Sequence, residues 1–150
     1  MIRVYHGTTE KRAAKILSDG YISITTEDNK RHQTTNTGCI YVTSDFFQAI
    51  DFSTRPERGL YDYPVVIFEI LIDEQEIKPD VDEEKWKSTL DSEKGYMNCY
   101  IIKRNLVIGT DVKRKYYKYF SDSPSVGKFM QDVQFGRIII NDTDEEWENL

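Results

Sequence analysis

The sequence predicts a single α+β domain, and three observations predict it. Its 150 residues suffice for one buried core and fall short of two ordinary domains. Hydrophobic residues at 39% beside charged residues at 31% exclude collagen-like, low-complexity and disordered chains. Strand-like runs are interspersed irregularly with short helical patterns, which argues against a doubly wound parallel sheet.

Arg3–Tyr5 reads as a strand that delivers His6-Gly7-Thr8 at its end. Thr9 is placed to cap a helix whose apolar positions Ala13, Ile16 and Leu17 keep helical spacing, with Gly20 as its stop. Tyr21–Ile24 alternates as a strand, and Thr25 to Thr37 is a polar loop. Cys39–Thr43 is a second strand, after which Ser44 or Asp45 caps a helix through Phe47, Ala49, Ile50 and Phe52. Val65–Ile72 is a near-continuous apolar run, hence a central strand, and Glu69 within it must be paired or turned outward. Asp80 with Glu83 resembles a capping box for a helix holding Trp86. Tyr100–Ile102, Leu106–Ile108 and Arg114–Phe120 read as strands, Pro124 opens a helix to Phe129 and Met130, and Arg137–Ile140 closes as a last apolar strand.

The formal net charge is −6, and its sign varies along the chain. Residues 141–150 form an acidic tail with Asp142, Asp144, Glu145, Glu146 and Glu148 and no base. Upstream, Lys113, Arg114, Lys115 and Lys118 are interleaved with Tyr116, Tyr117, Tyr119 and Phe120. A single-stranded nucleic-acid groove needs cations for phosphates and rings for bases, whereas a plain sheet strand needs only one solvated basic face. Both readings stand. No apolar run approaches the ~20 residues of a membrane span, and the first residues lack a signal-peptide pattern. Two cysteines make no disulfide framework, and neither they nor the two histidines have metal-ligand spacing. A soluble cytoplasmic protein without membrane contact or metal is the expectation.

Three fragments belong together: Tyr5-His6-Gly7-Thr8 with the helix ending at Gly20-Tyr21, Gly38-Cys39-Ile40-Tyr41-Val42-Thr43-Ser44-Asp45 with the helix carrying Ala49, and Asn98-Cys99-Tyr100-Ile101-Ile102. In these the chain resembles the ADP-ribosyltransferase superfamily, on its poly(ADP-ribose) polymerase and diphtheria-toxin-like side, whose members use a His, a Tyr and usually a Glu on three strands. The resemblance implies a split antiparallel or mixed sheet with a few helices, NAD as substrate, and no metal. It implies that His6 hydrogen-bonds a ribose hydroxyl, that the Gly7 backbone holds the nicotinamide amide with Thr8 also among the cofactor-binding residues, and that Tyr41 stacks on the nicotinamide ring, its phenol facing the His6 imidazole across one dinucleotide pocket. Thr43 or Ser44 would add a contact, and Arg31 in the polar loop would meet a phosphate. The chemistry asks for such groups: the nicotinamide–ribose bond breaks through a cation-like sugar, which needs orientation, a hold on the leaving ring and nearby negative potential.

The chain departs from the family at the acid. Cys99 stands where the glutamate would open its strand, and a neutral thiol supplies neither charge nor a good acceptor. Gln134, if the third strand is the one after it, and Glu93, from a nearby loop, are the other candidates. Two functions follow. One is a toxin-like or defence-effector transferase that passes ADP-ribose to a macromolecular acceptor, nucleic acid before protein, with an antitoxin protein as partner. The other is an inactive module that holds NAD, ADP-ribose or a nucleic-acid strand. A cysteine hydrolase using Cys39 or Cys99 with His6 or His32 lacks an adjacent activating group.

Overall fold

A computed structural model describes residues 1–29, 37–54, 63–80 and 98–150. The chain runs β1 (Ile2–Thr8), α1 (Glu10–Asp19), β2 (Tyr21–Ile22), β3 (Ile40–Thr43), α2 (Phe46–Thr54), β4 (Val65–Ile72), β5 (Ile77–Pro79), β6 (Cys99–Ile102), β7 (Leu106–Val107), β8 (Val112–Lys118), α3 (Ser123–Gln134) and β9 (Trp147–Asn149). Among the described residues, seven strands form one sheet in the order β5-β6-β3-β1-β4-β8-β9, each paired antiparallel to its neighbour. β2 and β7 form a separate two-stranded sheet. The fold is therefore α+β with a mainly antiparallel sheet.

The helix ends follow the local chemistry. Thr9 Oγ1 accepts from the Arg12 N–H at 3.2 Å, and Gly20, at φ 83°, donates to the Ile16 carbonyl at 2.9 Å. Asp45 Oδ1 caps the start of α2 by accepting from Phe47 N–H. Asp122 caps α3 through the Ser125 N–H, with Pro124 in the first turn. The predicted helix around Trp86 lies outside the described residues.

β4 is buried on both faces, which explains its unbroken apolar run. Its even-numbered residues (Val66, Phe68, Ile70, Ile72) join Val4, Val42, Ile102 and Leu106 in a core beneath α1. Val65 and Ile67 face the other way, into a second core with Ala49, Ile50, Tyr116 and Phe129 beneath α2 and α3. Glu69 shares that second face and is 3% exposed. As the sequence requires, it is paired: Arg114 Nε and Nη2 donate to its two oxygens, and Arg3 approaches at 3.4 Å.

The predicted strand Arg137–Ile140 does not form. The N–H groups of Arg137 and Ile138 both donate to the Asp132 carbonyl, and Arg137 Nε bonds the Asp132 carboxylate at 2.7 Å. This folds the segment back on the end of α3 and leaves Ile139 exposed. The last strand comes instead from the acidic segment: β9 pairs with β8, and the Trp147 indole packs against Phe46 and Tyr116.

A second charge cluster ties the sheet's far side together. Arg104 bridges Asp111 (2.9 Å to each oxygen) and Glu76 (2.6 Å), while Asp111 also accepts from the Val107 N–H. The Arg104 guanidinium, then the Val107 N–H, holds the Asp111 carboxyl below its usual value against the opposing effect of burial. A carboxyl depressed in the folded state stabilises above its unfolded pKa, ~3.9, and that contribution disappears as pH falls through the folded value. Asp111→Asn is therefore less stable than the parent at pH 7, and the gap between their urea midpoints closes below about pH 4. Glu69→Ala removes two charged hydrogen bonds while leaving Arg114 its bonds to Asp142, and costs about 1.5–3 kcal/mol in urea denaturation at neutral pH.

Candidate functional site

His6 lies near the C-terminal end of β1, where the two sides of that strand behave differently. Towards β4 the register runs unbroken from Ile2↔Ile72 to Thr8↔Val66. Towards β3 the registered pair is Tyr5↔Thr43. Continuation would pair Gly7 with Tyr41, but there the Tyr41 carbonyl accepts from His6 Nδ1 at 2.9 Å. A carbonyl only accepts, so Nδ1 carries the proton, and in the neutral ring Nε2 is the acceptor nitrogen. Peptide groups of a strand point alternately to its two neighbours. Thr8 C=O points to the β4 side, so Gly7 N–H and C=O point to the β3 side, and Gly7 is buried.

Helix α2 holds this end of β1 from behind. A Cβ on Gly7 would sit 2.0 Å from the Ala49 carbonyl oxygen and 2.9 Å from Ser53 N, so only glycine permits the approach. Ser53, fully buried, donates its hydroxyl to the Thr8 carbonyl at 2.8 Å and accepts from Val66 N–H at 2.9 Å. The hydroxyl joins both backbone groups of the registered pair Thr8↔Val66. Ser53 escaped the sequence reading. Its signal is the spacing Ala49, Ser53: two small residues one helical turn apart, on the face that meets Gly7.

The other expected residues fall in different places. Tyr41 is half-buried and emerges on the face opposite His6, because Ile40 and Val42 take the first core while His6 shares that core's face with Phe68. The two side chains are thus joined through a backbone carbonyl, not by facing rings. Thr8 and Thr43 are buried, and Thr43 Oγ1 accepts from Asp45 N–H. Ser44 is exposed and its N–H bonds the Asn98 carbonyl at 2.9 Å. Cys99 opens β6 opposite Thr43, on the strand next to Tyr41, and is 3% exposed. A glutamate in its place would be a buried carboxylate. Gln134 ends α3 on the surface and opens no strand. Arg31, His32 and Glu93 lie outside the described residues. Among the described residues no group of His, Cys, Asp or Glu is arranged to hold a metal ion, and no helix is long and apolar enough to cross a membrane.

The basic stretch does not form one groove. Strand alternation sends Arg114, Tyr116 and Lys118 to one face and Lys115 and Tyr117 to the other, with Lys113 at the register shift between Val112 and Arg114. Tyr116 is buried, and Arg114 lies between Glu69, Asp142 and the Trp147 ring, 4.1 Å from its centroid. Lys115 pairs with Glu148 and Lys118 with Glu146, so the acidic segment answers the basic strand. Lys113 Nζ bonds the Gly109 carbonyl, and Tyr117 OH donates to Glu10. A shallow cleft of about 180 Å³ between α1 and β8, with Leu17, Val66 and Tyr117 in its walls, sits on the far side of β1 from β3.

No protein-family model, curated protein or solved structure matches this chain.

The tight approach of α2 gives a direct contrast. Gly7→Ala drives a Cβ into helix backbone and costs at least about 1–3 kcal/mol. Gly127→Ala, inside α3 with nothing within 4 Å of its added Cβ, gains up to about 1 kcal/mol. Thermal melts of the two variants should move in opposite directions.

Proposed function

We propose that this chain is an ADP-ribosyltransferase that binds NAD at the opened end of β1 and passes ADP-ribose to a macromolecular acceptor. The observation that carries the reading is the His6 bond to the Tyr41 carbonyl. It engages the carbonyl that lies opposite Gly7, one step beyond the registered pair Tyr5↔Thr43, where Gly7 N–H and C=O are on the same side of β1. A carboxamide has the complementary acceptor and donor, which fits the nicotinamide hold implied by the resemblance. The order β6-β3-β1 also sets the strands of Cys99, Tyr41 and His6 side by side, in keeping with a split sheet of the transferase type.

In this reaction the bond from ribose C1′ to the nicotinamide nitrogen breaks, and its electron pair leaves with the neutral ring. An acceptor nucleophile then bonds C1′ and releases its proton to water. His6, fixed with Nδ1 protonated, orients a ribose hydroxyl through Nε2, and the gap at Gly7 orients the leaving ring. The resemblance alone suggests a toxin-like or defence role, a cytoplasmic setting and an antitoxin partner. Neutralisation of β8 by the acidic segment removes the preference for nucleic acid, so the acceptor is sought in both classes.

A second reading, an NAD-holding module without turnover, is favoured by one observation: Cys99 presents a buried thiol where the family carries its acid. Nicotinamide release from NAD, measured beside NAD binding by calorimetry, separates the two. For the transferase, release falls about a hundredfold or more in His6→Ala, and mass spectrometry of RNA, DNA and protein after expression finds added ADP-ribose. Binding without release supports the module. Neither binding nor release in the parent chain removes both.

A further inference from the structure

Helix α1 lies on the same face of the large sheet as His6, since its Ala13 enters the first core with Val4 and Phe68. Its first turn sends two charged side chains to opposite flanks. Glu10 accepts from the Tyr117 hydroxyl of β8 at 3.1 Å, and residue 12, about 200° further round the helix, faces the other way. β8 and β3 lie on opposite sides of β1, so the Arg12 flank is the one towards β3.

There Arg12 Nη1 donates to the Asn29 carbonyl at 2.9 Å. Asn29 closes a tight turn: its Oδ1 accepts from Thr26 N–H at 2.6 Å, and its Nδ2 donates to the Ile24 carbonyl at 3.2 Å. That turn is bound to the start of β3, with Thr25 N–H on the Cys39 carbonyl at 2.9 Å and Gly38 N–H on the Thr25 carbonyl at 2.7 Å. Two residues beyond Cys39, the Tyr41 carbonyl receives His6. The contacts therefore close a ring, from His6 along the chain to Arg12, across to Asn29, through Thr25 and Cys39 to Tyr41, and back to His6. Its imidazole and its guanidinium border one opening.

We infer that Arg12 is a phosphate-binding residue that meets the pyrophosphate of NAD when His6 holds the ribose. The inference rests on the function proposed above and adds a contact that the resemblance does not name. NAD carries its negative charge on two linked phosphates, joined to the nicotinamide ribose through C5′. A ribose hydroxyl held at His6 Nε2 thus leaves the phosphates within the same opening. A guanidinium matches phosphate oxygens with paired N–H groups along one planar edge. The Asn29 carbonyl orients that plane, and a neutral carbonyl does so without cancelling the charge. Arg104 and Arg114 do other work, since each bonds carboxylates and ties strands together.

The test uses the full chain and two ligands, NAD and nicotinamide riboside, which keeps the ring and the ribose and lacks both phosphates. Arg12→Gln removes the guanidinium charge. Arg12→Lys keeps a charge without the planar pair of donors and decides the matter if the Gln variant does not fold. Lys11→Gln, at the exposed neighbouring position, is the control for loss of one positive charge. Affinities come from NMR titrations at low and high salt. In Arg12→Gln the Kd for NAD rises tenfold or more, the Kd for nicotinamide riboside stays within twofold, and the weakening of NAD binding by salt is reduced. Arg12→Lys shows a smaller loss, again on NAD alone, and Lys11→Gln stays within threefold for both ligands. Equal losses on the two ligands, or none on either, overturn the inference while the NAD site stands. If nicotinamide riboside binds the parent below detection, the salt response decides, and an unchanged response in Arg12→Gln ends the inference. A parent chain that binds neither ligand removes the proposed function and this contact together.

Discussion

One hydrogen bond organises this molecule: the His6 imidazole on the Tyr41 backbone carbonyl. A sheet normally opens only at a cost, because each separated pair of strands leaves donors and acceptors unsatisfied. Here the side chain supplies the donor that the neighbouring strand no longer gives, so β1 and β3 part without orphaning that oxygen. Across β1, the Ser53 hydroxyl bonds both Thr8 C=O and Val66 N–H at the last registered pair of β1 and β4. Gly7, between the two, is squeezed against the backbone of α2. This end of β1 is thus fixed by packing behind it and by side-chain hydrogen bonds on either side.

Much of the scaffold is legible in the sequence because its signals are local. Thr9, Gly20 and Pro124 mark helix ends by their own chemistry, and β4 announces burial on both faces by its unbroken apolar run. The errors share a cause, which is dependence on partners distant in the chain. Arg137–Ile140 has the composition of a strand, but Asp132 captures its N–H groups and leaves them no sheet to join. The bases of β8 are consecutive in sequence and split between two faces in space. In the candidate site, position along the strands was readable for His6, Tyr41 and Cys99, since their motifs lie at strand ends. The opposite faces of His6 and Tyr41 were not, because facing depends on register with β4 and on the side each core takes. Nor was the demand on Gly7, set by Ala49, which lies 42 residues further along the chain (49 less 7).

Charge in this protein is arranged by segment and resolved by folding. A chain with a net charge of −6 nonetheless places four bases on one inner strand. That strand is flanked by β4, which offers Glu69, and by the acidic last segment, which offers Asp142, Glu146 and Glu148. The exposed pairs are individually weak and sensitive to salt. The Glu69–Arg114 pair is different, since both groups are largely out of water and the guanidinium is further confined by the Trp147 ring. Register between β4, β8 and β9 is therefore specified by ionic as well as apolar contacts.

The outer strands of the large sheet, β5 and β9, are three residues each. β5 ends in Pro79, which has no N–H to offer a newcomer, and β9 carries Glu148, whose copies would repel one another if two such margins met. A seven-stranded sheet with long, bare, apolar borders would recruit further chains and grow into fibres. These two margins discourage that recruitment, so the architecture protects its own solubility at the places where an open sheet is most vulnerable.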